Sequence, residues 1–131
     1  MAFDRTVEDL ANIVGLEHTN VKVADQRLAT LFYVVGMGFT RDPYLTPGVI
    51  NMWMNVGKTQ IHMPTGKPQR IPGHTGIIMP DLKSLKERLE AVKPDLRGTQ
   101  FSFSASRKRI DVTCPWGNVY RCFSPDRKYG P

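Results

Sequence analysis

Cysteine is scarce: the 131-residue chain has two, Cys114 and Cys122, and no Cys-x-x-Cys pair. With only three histidines, far apart in sequence, this excludes a structural zinc site. The two thiols flank a Pro115-Trp116-Gly117-Asn118 turn and could pair across it. The opening MAFDRTVEDL lacks the basic-then-apolar order of an export signal, so they read instead as reduced core residues. Long apolar runs are also missing. No stretch approaches the roughly 18 to 20 residues of a membrane span, and the expectation is a soluble, cytoplasmic protein with no membrane partner. Charge is unbalanced, with 18 Lys and Arg against 12 Asp and Glu, but it is not concentrated. Basic residues run from Arg5 to Lys128, clustering only at Arg107-Lys108-Arg109 and Arg127-Lys128, with no recognition-helix or stacking motif. Nucleic acid is therefore not an expected partner, whereas a small anionic substrate fits the charge.

At 40% apolar and 23% charged residues the chain has the composition of one globular domain. Val7, Leu10, Ile13 and Val14 stand at helical spacing, predicting a short helix over Thr6 to Val14 that Gly15 ends. From Leu16 to Val23 the pattern alternates as in a strand, with His18, Asn20 and Lys22 on the more polar side. Asp25 then occupies a helix N-cap position, and Leu28, Leu31, Phe32 and Val35 predict an amphipathic helix closed by Gly36 or Gly38. Three extended runs follow, Phe39 to Asp42, Val49 to Val56 and Lys58 to Met63, separated by turn residues. A Pro- and Gly-rich connector spans Thr65 to Gly73, a lid or more simply a linker.

The pattern then begins again. His74 to Met79 reads as a strand, Asp81 as an N-cap, and Leu82, Leu85, Leu89 and Val92 as a helix that stops before Pro94. Phe101 to Ala105, Arg109 to Thr113 and Val119 to Phe123 are three further strands. His18-Thr19 with Asp25 recurs as His74-Thr75 with Asp81, at a constant offset of 56 residues (18 to 74, 25 to 81). One helix per module covers only one sheet face, so two modules are expected to curve around a shared cavity, a usual setting for a small-molecule site. The expected boundaries are an N-terminal extension over 1–14, a domain over 15–126 with modules 15–65 and 73–126, and a basic tail over 127–131.

The doubled layout, the helix ending in Phe32-Tyr33-Val34-Val35-Gly36-Met37-Gly38-Phe39, the Gly73-His74-Thr75-Gly76-Ile77 run before Pro80-Asp81, and Cys114-Pro115-Trp116-Gly117-Asn118 together resemble the vicinal oxygen chelate superfamily. That group includes glyoxalase I, bleomycin and fosfomycin resistance proteins and extradiol dioxygenases. The resemblance implies an α+β fold of two βαβββ modules forming a cupped eight-stranded mixed sheet, and a homodimer. It also implies a divalent transition metal (zinc, nickel, iron or manganese) held by residues of the first and fourth strands. Those positions fall on His18, His74 and His62, with Gln60 facing the same way as His62. The fourth position, usually a glutamate, is Arg121, which stays protonated and cannot ligate.

Two functions follow from the same residues. In one, the three histidines hold an ion that chelates vicinal oxygens of a small organic substrate, supporting lyase, isomerase or ring-cleaving dioxygenase chemistry. In the other, no metal is used and a binding or resistance protein engages an anionic ligand through Arg121 between aromatic walls. Candidates for those walls are Trp53, Phe101, Phe103, Trp116 and Tyr120, and Asn51, Trp53 and Asn55 alternate on a strand face that would line the cavity.

Overall fold

Strand alternation sorts the first module into two faces. The computed structural model describes residues 12–45 and 50–126. Most of the helix expected over Thr6 to Val14, residue 49 of the second extended run and the basic tail lie outside these residues. Strand β1 (His18–Asn20) runs parallel to β4 (Thr59–Pro64), with His18 opposite Gln60 and Asn20 opposite His62. Backbone bonds from Val21 N to His62 O (2.9 Å) and from Val23 N to Pro64 O (3.0 Å) carry this pairing on to Val23. Strand β3 (Asn51–Val56) pairs antiparallel with β4, and β2 (Thr40–Arg41) with β3, giving the order β1-β4-β3-β2. A two-residue Gly57-Lys58 turn with Gly57 at φ 60° closes the β3–β4 hairpin, a backbone setting that favours glycine.

The second module repeats the plan. Strands β5 (His74–Ile78), β6 (Ser102–Ala105), β7 (Arg109–Thr113) and β8 (Val119–Phe123) form a sheet ordered β5-β8-β7-β6, with β5 parallel to β8. The eight strands thus divide into two four-stranded mixed sheets.

Each module's helix starts as its sequence directs. Asp25 Oδ1 accepts from Leu28 N at 2.8 Å ahead of α1 (Gln26–Ala29, continued over Thr30–Gly36), and Asp81 Oδ1 accepts from Lys83 N at 3.1 Å ahead of α2 (Leu82–Val92). Helix α1 opens as a single α turn, Gln26–Ala29, and continues as a π-helical stretch, Thr30–Gly36, with Met37 N donating to Phe32 O at 2.8 Å. Its buried face is Ala29, Phe32, Tyr33 and Gly36, one residue on from the predicted stripe, and Val35 is 49% exposed. Gly36 explains the difference: a Cβ there would lie 3.2 Å from Val92 Cγ1, so the helix turns its small residues toward α2. Arg88 of α2 secures the contact, donating from Nε to Gly36 O (3.1 Å) and from Nη2 to Met37 O (3.3 Å).

The aromatic pair on α1 reaches into the second module. Phe32 meets Phe101 edge-on at 5.9 Å, and the Tyr33 and Tyr120 hydroxyls are hydrogen-bonded at 2.7 Å in the core. The connector is tied to both modules. Lys22 N donates to Gln69 Oε1 (2.8 Å) and Gln69 N to Lys22 O (3.1 Å), while buried Asn118 accepts from Ile71 N (2.7 Å) and donates to Gln69 O (2.8 Å). These bonds describe a strap rather than a lid.

Two stability predictions follow from this packing. Tyr33→Phe leaves the buried Tyr120 hydroxyl without its partner and should cost about 1–3 kcal/mol in urea unfolding. Tyr120→Phe leaves the buried Tyr33 hydroxyl without this partner and should cost a similar amount, and unchanged stability in either variant would contradict the role of the pair. Asn118→Ala should speed amide exchange at Ile71 while leaving exchange in α2 unchanged; faster exchange in α2 as well would show a wider structural role.

Candidate functional site

On β3 and β4 the buried residues Met52, Met54, Ile61 and Met63 face the helices, so their neighbours Asn51, Trp53, Asn55, Gln60 and His62 face the other way. His18 and Asn20 of β1 join them through the register. The result is one sheet face bearing two imidazoles, an indole and four side-chain amides. Trp53 stacks on His62 with ring centroids 4.1 Å apart and planes 11° off parallel, and His18 meets the same indole edge-on at 4.8 Å.

His62 is held on both sides. Its Nδ1 lies 2.7 Å from Asn20 Oδ1 and its Nε2 lies 2.6 Å from Asn51 Oδ1. Desolvation first, and then the neighbouring His18, push its pKa below the ordinary 6.5. A neutral imidazole has one donor and one acceptor nitrogen, so one of the two amides must present its NH2 and the other its oxygen. Beside this group, Gln60 Nε2 donates to Asp42 Oδ2 (2.8 Å) and Asn55 Oδ1 (2.9 Å). The Tyr44 N–H, aided by Leu45 N–H and Gln60, holds Asp42 below the usual carboxylate range. Asp42 and Asn20 were not among the expected site residues. Their signals were the Asp42-Pro43 turn and the position of Asn20 two residues after His18.

The remaining candidates are on the second sheet. His74 opens β5 and is exposed, on the face shared by Arg121. Arg121 Nε donates to Asp111 Oδ1 at 3.0 Å, and Arg109 Nε lies 3.7 Å from Asp111 Oδ2. Tyr120, expected at the ligand, is instead buried with its hydroxyl on Tyr33. Adjacent strand residues point to opposite faces, so Tyr120 and Arg121 cannot both line one cavity. Phe101, Phe103 and Trp116 pack against the core, leaving Trp53 as the candidate wall residue on the polar face of the first sheet.

The donor set fits a metal poorly within one chain. Two imidazoles share a face, the third is on the other sheet, and the fourth position carries a guanidinium. Among the described residues no group of three or more His, Cys, Asp or Glu is arranged to hold an ion. Both ring nitrogens of His62 are already engaged. Cys114 and Cys122 are free and buried, and burial pushes the Cys122 thiol up to about 12, away from reactivity. No helix among the described residues is long and apolar enough to cross a membrane.

No family model matches the sequence, and no curated protein does. Solved structures do match. A glyoxalase family protein from Bacillus anthracis superposes with a TM-score of 0.60 at 20% identity, over 86% of this chain and 95% of that one. The fosfomycin resistance protein FosX from Listeria monocytogenes superposes at 0.64 with 14% identity, over 90% and 96%. A glyoxalase/bleomycin resistance protein/dioxygenase from Alicyclobacillus acidocaldarius superposes at 0.52 with 17% identity, over 87% and 93%. The chain has the vicinal oxygen chelate fold. In this fold the polar face of the first sheet is the surface left open once each helix has covered the other side.

The site's electrostatics yield a titration prediction. The folded pKa of His62 is depressed, so its contribution to stability is present above the unfolded value and is lost as pH falls through the folded one. His18→Ala should move the His62 titration upward, measured by NMR of the ring protons, but only partway to 6.5, because desolvation is the larger cause. A full return to 6.5 would reverse that ranking.

Proposed function

We propose that the chain binds a small, oxygen-rich organic molecule on the polar face of the first sheet without using a metal ion. The observation that carries this reading is the double hydrogen bonding of His62 by Asn20 and Asn51, which turns a candidate ligand into part of a fixed recognition surface. Trp53, stacked on His62, gives this polar face an apolar element, and the amides and imidazoles around it offer donors and acceptors. Arg121 and Arg109 outnumber Asp111 on the second sheet, giving an anionic ligand a favourable field. This is the behaviour of a sequestering or resistance protein. One FosX structure from Listeria monocytogenes is described as a complex with Mn(II) and 1S,2S-dihydroxypropylphosphonic acid, a small oxygen-rich anion.

One observation favours a second reading. His18 and His62 are close enough for one to depress the pKa of the other, and a neutral imidazole is the form that ligates. A metal-dependent enzyme would then need the two amides to release His62.

Calorimetric titration of the tag-free protein with Mn(II), Ni(II) and Zn(II) separates the two. No stoichiometric binding by the parent is expected. One equivalent bound by the parent and lost in both His18→Ala and His62→Ala would replace the metal-independent reading with the metal-dependent one. The chain has two tryptophans, so Trp116→Phe makes Trp53 the sole reporter for a fluorescence screen of small organic anions. A hit should quench Trp53 and bind about 10-fold or more weakly in Asn51→Ala, the effect of losing one charge-assisted or buried hydrogen bond. Ligands that bind without altering Trp53 emission would place recognition elsewhere.

A further inference from the structure

A cleft of about 710 Å3 lies at the seam between the modules, and none of the three histidines lines it. It is walled by the end of α1, the β3–β4 turn, β5 and one side of α2. This volume is within the roughly 300–1,000 Å3 of small-molecule sites, which are often found where two structural units meet. Its floor is apolar, with Phe39, Val56, Ile77 and Met79, and Ile78 at its edge is 45% exposed.

The polar groups are few and have distinct states. Arg88 lies flat against Gly38, where a Cβ would be 2.9 Å from Nη2, so its guanidinium is held rather than free to swing. Its two carbonyl bonds, to Gly36 and Met37, use two of the five guanidinium N–H groups, leaving three with no hydrogen-bond partner among the described residues. At the other end of the α2 wall, Asp81 is occupied by Lys83 N and by Ser84 Oγ at 2.6 Å. Seven residues separate Asp81 from Arg88, about 10 Å along the helix, so the cleft has an acidic end and a cationic end. A fixed, partly satisfied guanidinium over an apolar floor suits a planar two-oxygen anion on an apolar body.

We infer that this seam cleft is a second binding site, for an amphipathic carboxylate whose head meets Arg88 and whose apolar chain lies along Val56 and the exposed Ile78. The cleft meets the first-sheet face at Asn55, which borders both, but the inference is argued from Arg88 and the apolar lining, so it stands or falls independently of the function proposed there.

The test is an amide NMR titration of the full chain with octanoate and, in parallel, with octanol. Octanoate should shift Val56, Gly57, Ile77, Ile78 and Ser84 saturably, and octanol should bind at least about tenfold more weakly. Arg88→Gln should abolish the preference for octanoate. Because Arg88 also ties α1 to α2, Ile78→Glu serves as a second variant. It adds a like charge at an exposed position, and should block octanoate without lowering the unfolding temperature. Equal affinity for octanol, unchanged octanoate binding in Ile78→Glu, no saturable shifts, or shifts confined to Asn20, Trp53 and His62 would each overturn the inference.

Discussion

The close approach of α1 to α2 is the contact on which the arrangement rests. Each module has a four-stranded sheet and one helix, too little to bury both sheet faces. The two helices therefore share one interior, and Gly36 makes this sterically feasible by leaving room for Val92 and Leu89. Arg88 then closes the carbonyls that α1 leaves open at its C-terminal end, so one side chain caps a helix and fastens two modules. The aromatic pair Phe32 and Tyr33 follows from the same choice. With the helix turned toward α2, these rings reach Phe101 and Tyr120 in the second module.

With the core gathered on the helix side, polar residues are confined to the opposite sheet faces by strand alternation alone. The first sheet uses that face for His18, Trp53, His62 and their amides; the second uses it for Arg121, Asp111 and His74. Position on a strand thus decides more about a residue's role than its chemistry does. Tyr120 and Trp53 are both aromatic strand residues, yet the first lies in the interior and the second beside His62.

The succession of elements along the chain, the caps and the turns were legible because each depends on neighbours in sequence. Asp25 and Asp81 cap as their positions required, and Arg109–Thr113 and Val119–Phe123 have the predicted bounds. The buried face of α1 was not legible, since it is chosen by a partner helix more than fifty residues away, and Leu28, Leu31 and Val35 supplied a plausible apolar stripe of their own. The only local hint was the pair of small residues Ala29 and Gly36, seven apart. For the site, alternation grouped His18 with Asn20, and Gln60 with His62, but nothing in sequence brings Asn20 and Asn51 to the two edges of one imidazole. That requires β4 to lie between β1 and β3, a consequence of sheet order.

Arg121 changes the meaning of the second sheet rather than merely deleting a ligand. A carboxylate is still present one strand away, because Asp111 is its direct cross-strand partner. That carboxylate faces two guanidiniums, Arg121 at 3.0 Å and Arg109 at 3.7 Å, so the trio carries a net positive charge. At their partial exposure these pairs contribute at most about 1 kcal/mol each to stability, and their larger effect is on the local field. A divalent cation approaching this face would meet repulsion, and its one carboxylate is already neutralised. An anion would meet attraction, with guanidinium donors beyond those Asp111 uses. The same three residues that make the sheet a poor fourth ligand for a metal therefore make it a reasonable complement to a negatively charged molecule.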